Sequence, residues 1–181
     1  MDTPMPESVH FDLTEEADRF FDEASRTNGE TRPRLVVLMG APATGKSTIR
    51  KERYSTGYVV VDAAEIFLNL SRGGDYPFPK ALLESMELIG TSVAKRAVFQ
   101  FRNIVVELIG AQFEPIKELL DPMHALGYEI DVRLITCGLD EAIQRNANRG
   151  PDCISAHYSE GFQRTWLVEA AKEALALIEG M

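Results

Sequence analysis

Gly40, Gly45, Lys46 and Ser47 stand at the spacing GxxxxGK[ST] in the stretch GAPATGKS, residues 40–47. An apolar run, RLVVLM at 34–39, precedes it and a helical pattern follows. A phosphate cradle needs that context. The glycines permit a tight backbone that turns consecutive N–H groups toward nucleotide phosphates, and the helix N-terminus adds positive partial charge. Ala43, Thr44 and Thr48 complete the expected cradle. Lys46 is placed to reach the β- and γ-oxygens and Ser47 to ligate Mg²⁺, so ATP and Mg²⁺ are the expected cofactors.

Three further stretches carry chemistry. VVVDAAEI, residues 59–66, reads as a buried strand near 58–62 with Asp62 emerging at its end. In an extended strand Asp62 and position 64 point to the same face. NIVVELI, from Asn103, finishes on Glu107 rather than on the terminal Asp common in ATPases. Glu107 lies beside the phosphate loop if this third strand neighbours the first, and would there bind a magnesium water or a substrate hydroxyl. DEAIQRNANRG, residues 140–150, carries Arg145 and Arg149 four apart, on one face of a helix. Such a pair clamps a transferring phosphoryl group through fixed charge and a planar donor fork. With Asp140 and Glu141 as partners, the same pair is also a solvated face.

The elements that position these groups alternate. A leading helix is expected from Leu13 to Ala24, with Asp12 and Glu15 as a capping box and Asn28-Gly29 as its stop. After the second strand comes a loop marked by Gly73, Gly74, Pro77 and Pro79, then a helix near 80–101. The fourth strand is read at 128–137, after a helical segment that contains Pro115 and Pro122 and is closed by Gly127. Helices near 139–149 and 159–178 complete the pattern. Strands alternating with helices predict an α/β fold in three layers, a mostly parallel sheet with helices on both faces. Residues 1–181 are expected to form one domain, with 1–30 as leading segment and 140–158 as lid.

Composition narrows the function classes. A net charge of −9 argues against a surface built for nucleic-acid phosphates or anionic lipid. No apolar stretch reaches the ~20 residues needed to span a bilayer, and the N-terminus lacks a leader pattern, so a soluble, cytoplasmic chain is expected. Cys137 and Cys153 form no CxxC pair and read as packing residues.

From about Ser8 onward the chain resembles the zeta toxin family of P-loop kinases, whose characterised members phosphorylate UDP-N-acetylglucosamine with ATP. FDLTEEADRFFDEA resembles the leading helix, GAPATGKSTIR the P-loop and its helix, and GYVVVDAAEI the second strand. NIVVELIG is similar to the strand that bears the substrate-site glutamate, and LGYEIDVRLITCGLDEAIQRNANR to the fourth strand and arginine-bearing lid. The resemblance implies catalytic roles for Lys46, Asp62, Arg145 and Arg149, metal contacts from Ser47 and Asp62, and substrate contacts from Glu107, Asp62 and position 64.

The chain also departs from the family. The second strand there ends D-x-D-x-[IF]-[RK], and its second Asp is the presumed general base; here that position is Ala64 and the following basic position is Phe67. Asp62 is the nearest substitute, Glu65 the next. Leu108 and Ile109 replace the small residues after the substrate glutamate; the family's second lid cation lies further on, where this chain reads ISAHY, so Arg149 or His157 is the expected stand-in. The function expected is phosphoryl transfer to a hydroxyl of a small acceptor such as a nucleotide-sugar, with an antitoxin as possible protein partner. Two alternatives remain: a nucleotide-binding protein that acts through partner binding, and another small-molecule phosphotransferase of the antibiotic-modifying kind.

Overall fold

A computed structural model of the chain describes residues 12–21, 25, 31–71, 82–109, 113–149, 172, 175 and 176. Four strands, β1 (Arg34–Met39), β2 (Val59–Val61), β3 (Ile104–Leu108) and β4 (Glu129–Leu134), form one sheet in the order β2-β3-β1-β4. All three pairings are parallel. Six helices accompany them among the described residues: α1 (Leu13–Asp18), α2 (Lys46–Arg53), α3 (Ala63–Ser71), α4 (Leu83–Phe99), α5 (Phe113–Ala125) and α6 (Leu139–Ala147). The expected α/β architecture is the one observed.

The central strand explains its own composition. Leu35, Val37 and Met39 of β1 join a large apolar cluster with Ile66 and Leu70 of α3, Ile89 and Val93 of α4, and Ile116 and Leu120 of α5. Val36 and Leu38, pointing the other way, meet Tyr54, Val105 and Ile49 of α2. A strand covered on both faces has no polar side, hence the unbroken RLVVLM run. Gly127, at φ 83°, closes α5 in the left-handed conformation, and the Tyr128 N–H turns back to the Met123 carbonyl at 3.0 Å. Pro115 lies in the first turn of α5, where a missing N–H is tolerated; Pro122 lies inside the same helix.

Several boundaries differ from those read in the sequence. The leading helix is described as α1 alone, followed by a turn at Arg19 and Phe20. Asp12 caps it, accepting from the N–H groups of Thr14 and Glu15, but Glu15 pairs with Arg19 at 3.3 Å rather than completing a box. The stop at Asn28-Gly29, the glycine- and proline-marked loop, Cys153, His157 and most of 159–178 lie outside the described residues. The second strand is only three residues long, and a helix that the sequence reading did not include, α3, begins at Ala63. The fourth strand ends at Leu134 rather than at 137. Cys137, half-buried in the segment after β4, is in neither of the apolar clusters formed by the described residues.

The helix α4 gives a direct test of this packing. Ile89 is fully buried against the sheet while its neighbour Leu88 is 49% exposed. Ile89→Ala is expected to cost about 2–5 kcal/mol and Leu88→Ala less than about 0.5, read as denaturation midpoints. Equal losses would refute the helix orientation.

Candidate active site

The C-terminal ends of parallel strands are where an α/β sheet opens a crevice, and here the phosphate loop fills it. Gly40 leaves β1 with its N–H bonded to the Leu108 carbonyl of β3 at 3.1 Å. On its other side, a Cβ at Gly40 would come within 2.2 Å of the Ile135 carbonyl oxygen at the end of β4, so only glycine fits. Ala43 and Gly45 take positive φ, 64° and 104°, which closes the loop, and the Thr44 hydroxyl ties back to the Ala41 carbonyl at 2.9 Å. α2 then starts at Lys46, whose ammonium donates to the carbonyls of Gly40 and Ala41 at 2.8 and 3.0 Å. Desolvation lowers this ammonium to about 8, against the opposing pull of Glu107 and Asp62. The loop therefore has the backbone a nucleotide phosphate requires, and Lys46 stands at its mouth.

Strand order brings the acids to the same place. Because β3 pairs with β1, Glu107 stands opposite Leu38, two residues before Gly40, as the sequence required for it to act there. The Ser47 hydroxyl donates to Glu107 Oε2 at 2.9 Å. A serine hydroxyl with a carboxylate behind it suits a hydrated magnesium ion, which keeps most of its waters and takes few protein ligands. β2 pairs with β3 through Val61 and Val106, so Asp62 emerges beside Glu107.

Asp62 does not continue a strand. Its backbone carbonyl accepts from the Ile66 N–H at 3.1 Å and its Oδ1 from the Ala64 N–H at 3.0 Å, so it caps α3. Ala64 thus lies in the first turn of a helix, and the expectation that 62 and 64 share a strand face is corrected. Both still line one cleft of about 310 Å³ together with Lys46, Ser47, Glu107 and Arg149. Leu108 and Ile109 form part of its wall. Burial first, and then the charge of Glu107, push the Asp62 carboxyl up to about 6.

The arginines divide differently from expectation. Arg145, on α6, pairs with Glu141 at 2.5 Å and reaches toward the Ala43 carbonyl at 3.5 Å. α6 ends at Ala147, so Arg149 lies beyond it and the two do not share a helical face. Both nevertheless line a second opening, on the Thr44 and Thr48 side of the loop. Thr48 is exposed there on the first turn of α2.

One residue was missed. Arg50, one turn below Lys46 on α2, is 5% exposed. Its Nε donates to Glu107 Oε1 at 2.6 Å, and its Nη2 to Glu65 Oε1 at 2.6 Å and Asp62 Oδ2 at 3.5 Å. Burial pulls the guanidinium down, but its bonds to Glu107 and Glu65 outweigh this and hold it above its ordinary value. The available signal was the spacing: a residue four after the loop lysine shares its helix face. Glu65, ranked behind Asp62 from sequence, belongs to this group through Arg50.

No protein-family model matches the chain, and no curated protein matches it. Solved structures do match. A chain of the AvrRxo1-ORF1:-ORF2 complex with ATP superposes at TM-score 0.66 and 13% identity, over 93% of this chain and 53% of its own. A chain of the PezAT chromosomal toxin-antitoxin system of Streptococcus pneumoniae does so at TM-score 0.59 and 14% identity, over 77% of this chain and 63% of its own. One from the Pnkp1/Rnl/Hen1 RNA repair complex gives 0.52 and 18%, over 83% of this chain and 48% of its own. At these identities the likeness is one of fold. The chain spans about half the length of the AvrRxo1-ORF1:-ORF2 chain, 53%.

The raised Asp62 carboxyl has a consequence for stability. A carboxyl that titrates near 6 when folded and near 3.9 when unfolded holds its proton more tightly in the fold, so stability falls as pH climbs from about 4 to 6 and stays lower above. Asp62→Asn keeps a helix cap and removes the charge. It is expected to raise stability at pH 7.5 by up to about 3 kcal/mol, with the gain gone near pH 4; equal midpoints at both pH values would contradict this.

Proposed function

We propose that the chain is an ATP-dependent small-molecule kinase, and that its acceptor is a hydroxyl of a nucleotide-sugar such as UDP-N-acetylglucosamine. The observation that carries this reading is a single cleft shared by Lys46 and Ser47 of the phosphate loop with the carboxylates of Asp62 and Glu107. Gly40 and residues 43–48 hold the triphosphate, with Lys46 against its β- and γ-oxygens. Ser47 and Asp62 are the residues that would hold a magnesium ion and its waters, and the ion would supply positive charge against the phosphates. The acceptor hydroxyl, seated by Glu107 near Ala64, attacks the γ-phosphorus. Its proton passes to Asp62 while the bond from the γ-phosphorus to the bridging oxygen breaks and ADP leaves. Arg145 and Arg149 stabilise the charge on the transferring group. Positioning and electrostatics carry most of such a transfer, so turnover does not depend wholly on a base at position 64.

The methyl group of Ala64 favours one other reading. In it, the chain binds ATP without transferring phosphate and acts through a protein partner. The superposition on a chain from a toxin-antitoxin system is what supports an antitoxin as that partner. ATP consumption against a metabolite panel, with and without UDP-N-acetylglucosamine, separates the two. Tight ATP binding without consumption of any acceptor selects the second.

Two substitutions sharpen the test. Arg145→Ala is expected to lower kcat by about 10²-fold or more with little change in ATP affinity, because a cation outside the cradle acts on charge that develops during transfer; loss of thermal stability alone would return Arg145 to a solvated helix face. Ala64→Asp places an acid in the first turn of α3, where the helix dipole favours it, and facing the acceptor cleft. It is expected to raise turnover of UDP-N-acetylglucosamine about 10²- to 10⁴-fold. No gain in a folded variant would dismiss position 64 as the site of a missing base.

A further inference from the structure

We infer that Arg50 is a positioning residue, which holds the carboxylates of Asp62 and Glu107 toward the cleft and ties three acids together beside the loop. The inference rests on the kinase reading for its consequence but not for its geometry. Each oxygen of Glu107 has one donor: Arg50 Nε takes Oε1 at 2.6 Å and the Ser47 hydroxyl takes Oε2 at 2.9 Å. Asp62 is held in the same way, by the Ala64 N–H on Oδ1 at 3.0 Å and by Arg50 Nη2 on Oδ2 at 3.5 Å. The Nη2 also reaches Glu65 Oε1 at 2.6 Å, and Lys51 supports Glu65 from the rim at 3.8 Å. One guanidinium therefore joins the phosphate-loop helix to the end of β2, to α3 and to β3.

Only arginine has the donors for this. Its planar fork serves carboxylates from separate elements at fixed angles, whereas a lysine presents one point charge on a flexible stem. Asp62, Glu65 and Glu107 would otherwise confront an anionic nucleotide with three negative charges. The position also follows from the helix: Lys46 and Arg50, four apart, share a helix side, the first lining the cleft and the second behind it, bonded to the acids.

The test has one arm that needs no turnover. Carbon-13 carboxyl signals of Asp62 and Glu107 are recorded in the nucleotide-free protein and in Arg50→Lys and Arg50→Gln, each checked for native fold by circular dichroism. Both signals are expected to move in both variants, and further in Arg50→Gln; signals that stay in place in a folded variant overturn the inference, whatever the activity. In the second arm, Arg50→Gln is expected to lower kcat about 10- to 100-fold with ATP affinity within about threefold, and Arg50→Lys to recover part of that loss. An unchanged kcat, or a loss that tracks ATP affinity alone, overturns the functional half. If the unaltered chain and Ala64→Asp phosphorylate nothing, the kinase reading falls while the carboxyl signals still decide the role of Arg50.

Discussion

Removing a guanidinium from water costs several kcal/mol unless its charge and donors are met inside the protein. Arg50 is met by Glu107 and Glu65 at 2.6 Å each and by Asp62 at 3.5 Å. The dependence runs both ways: the acids keep the arginine charged, and the arginine lets them crowd one cleft. Asp62 shows how close to its limit the arrangement stands, since even with Arg50 alongside, burial and Glu107 leave its carboxyl near 6. This one ion cluster ties α2, the end of β2, α3 and β3 together behind the cleft.

The cluster in turn depends on strand order. Placing β3 between β1 and β2 sets Glu107 between the phosphate loop and Asp62, and three parallel strand ends deliver their side chains to one edge. The loop is held from both sides at its first residue. Gly40 bonds to β3 through Leu108 and lies too close to Ile135, at the end of β4, to carry any side chain. A β-carbon there would displace the backbone of the loop.

Much of this was legible in residue types alone. Crowded backbone at Gly40 and left-handed backbone at Gly45 call for glycine, so GAPATGKS between an apolar run and a helical pattern was readable as a tight loop joining strand to helix. The unbroken apolar run of β1 likewise told of a strand covered on both faces, and VVE located Glu107. The valines of 59–61 misled by continuing visually into Asp62. An acid at that point is equally a strand end and a helix cap, and only the path of the chain after it decides; Ile66, Phe67 and Leu70 carried a helical period that the sequence reading passed over. Arg50 was hidden for a different reason. A buried arginine among polar neighbours looks like any surface helix residue until the three acids, 12, 15 and 57 positions away, are brought to it.

The two outer strands of the described sheet have a bearing on how the molecule behaves in a crowded solution. A sheet edge offers free N–H and C=O groups that another chain can extend, and length and flatness make it a better template. β2 offers three residues, broken at once by the cap at Asp62 and the turn into α3. β4 is longer, but Glu129, Asp131 and Arg133 alternate along it, with Arg133 bonded to Asp131 at 2.6 Å and Glu129 to Arg34 at 3.3 Å. An incoming strand would have to strip or match those charges before its backbone could pair. The same brevity that makes β2 give way to a helix at the cleft thus also leaves a second chain little to add onto at that edge.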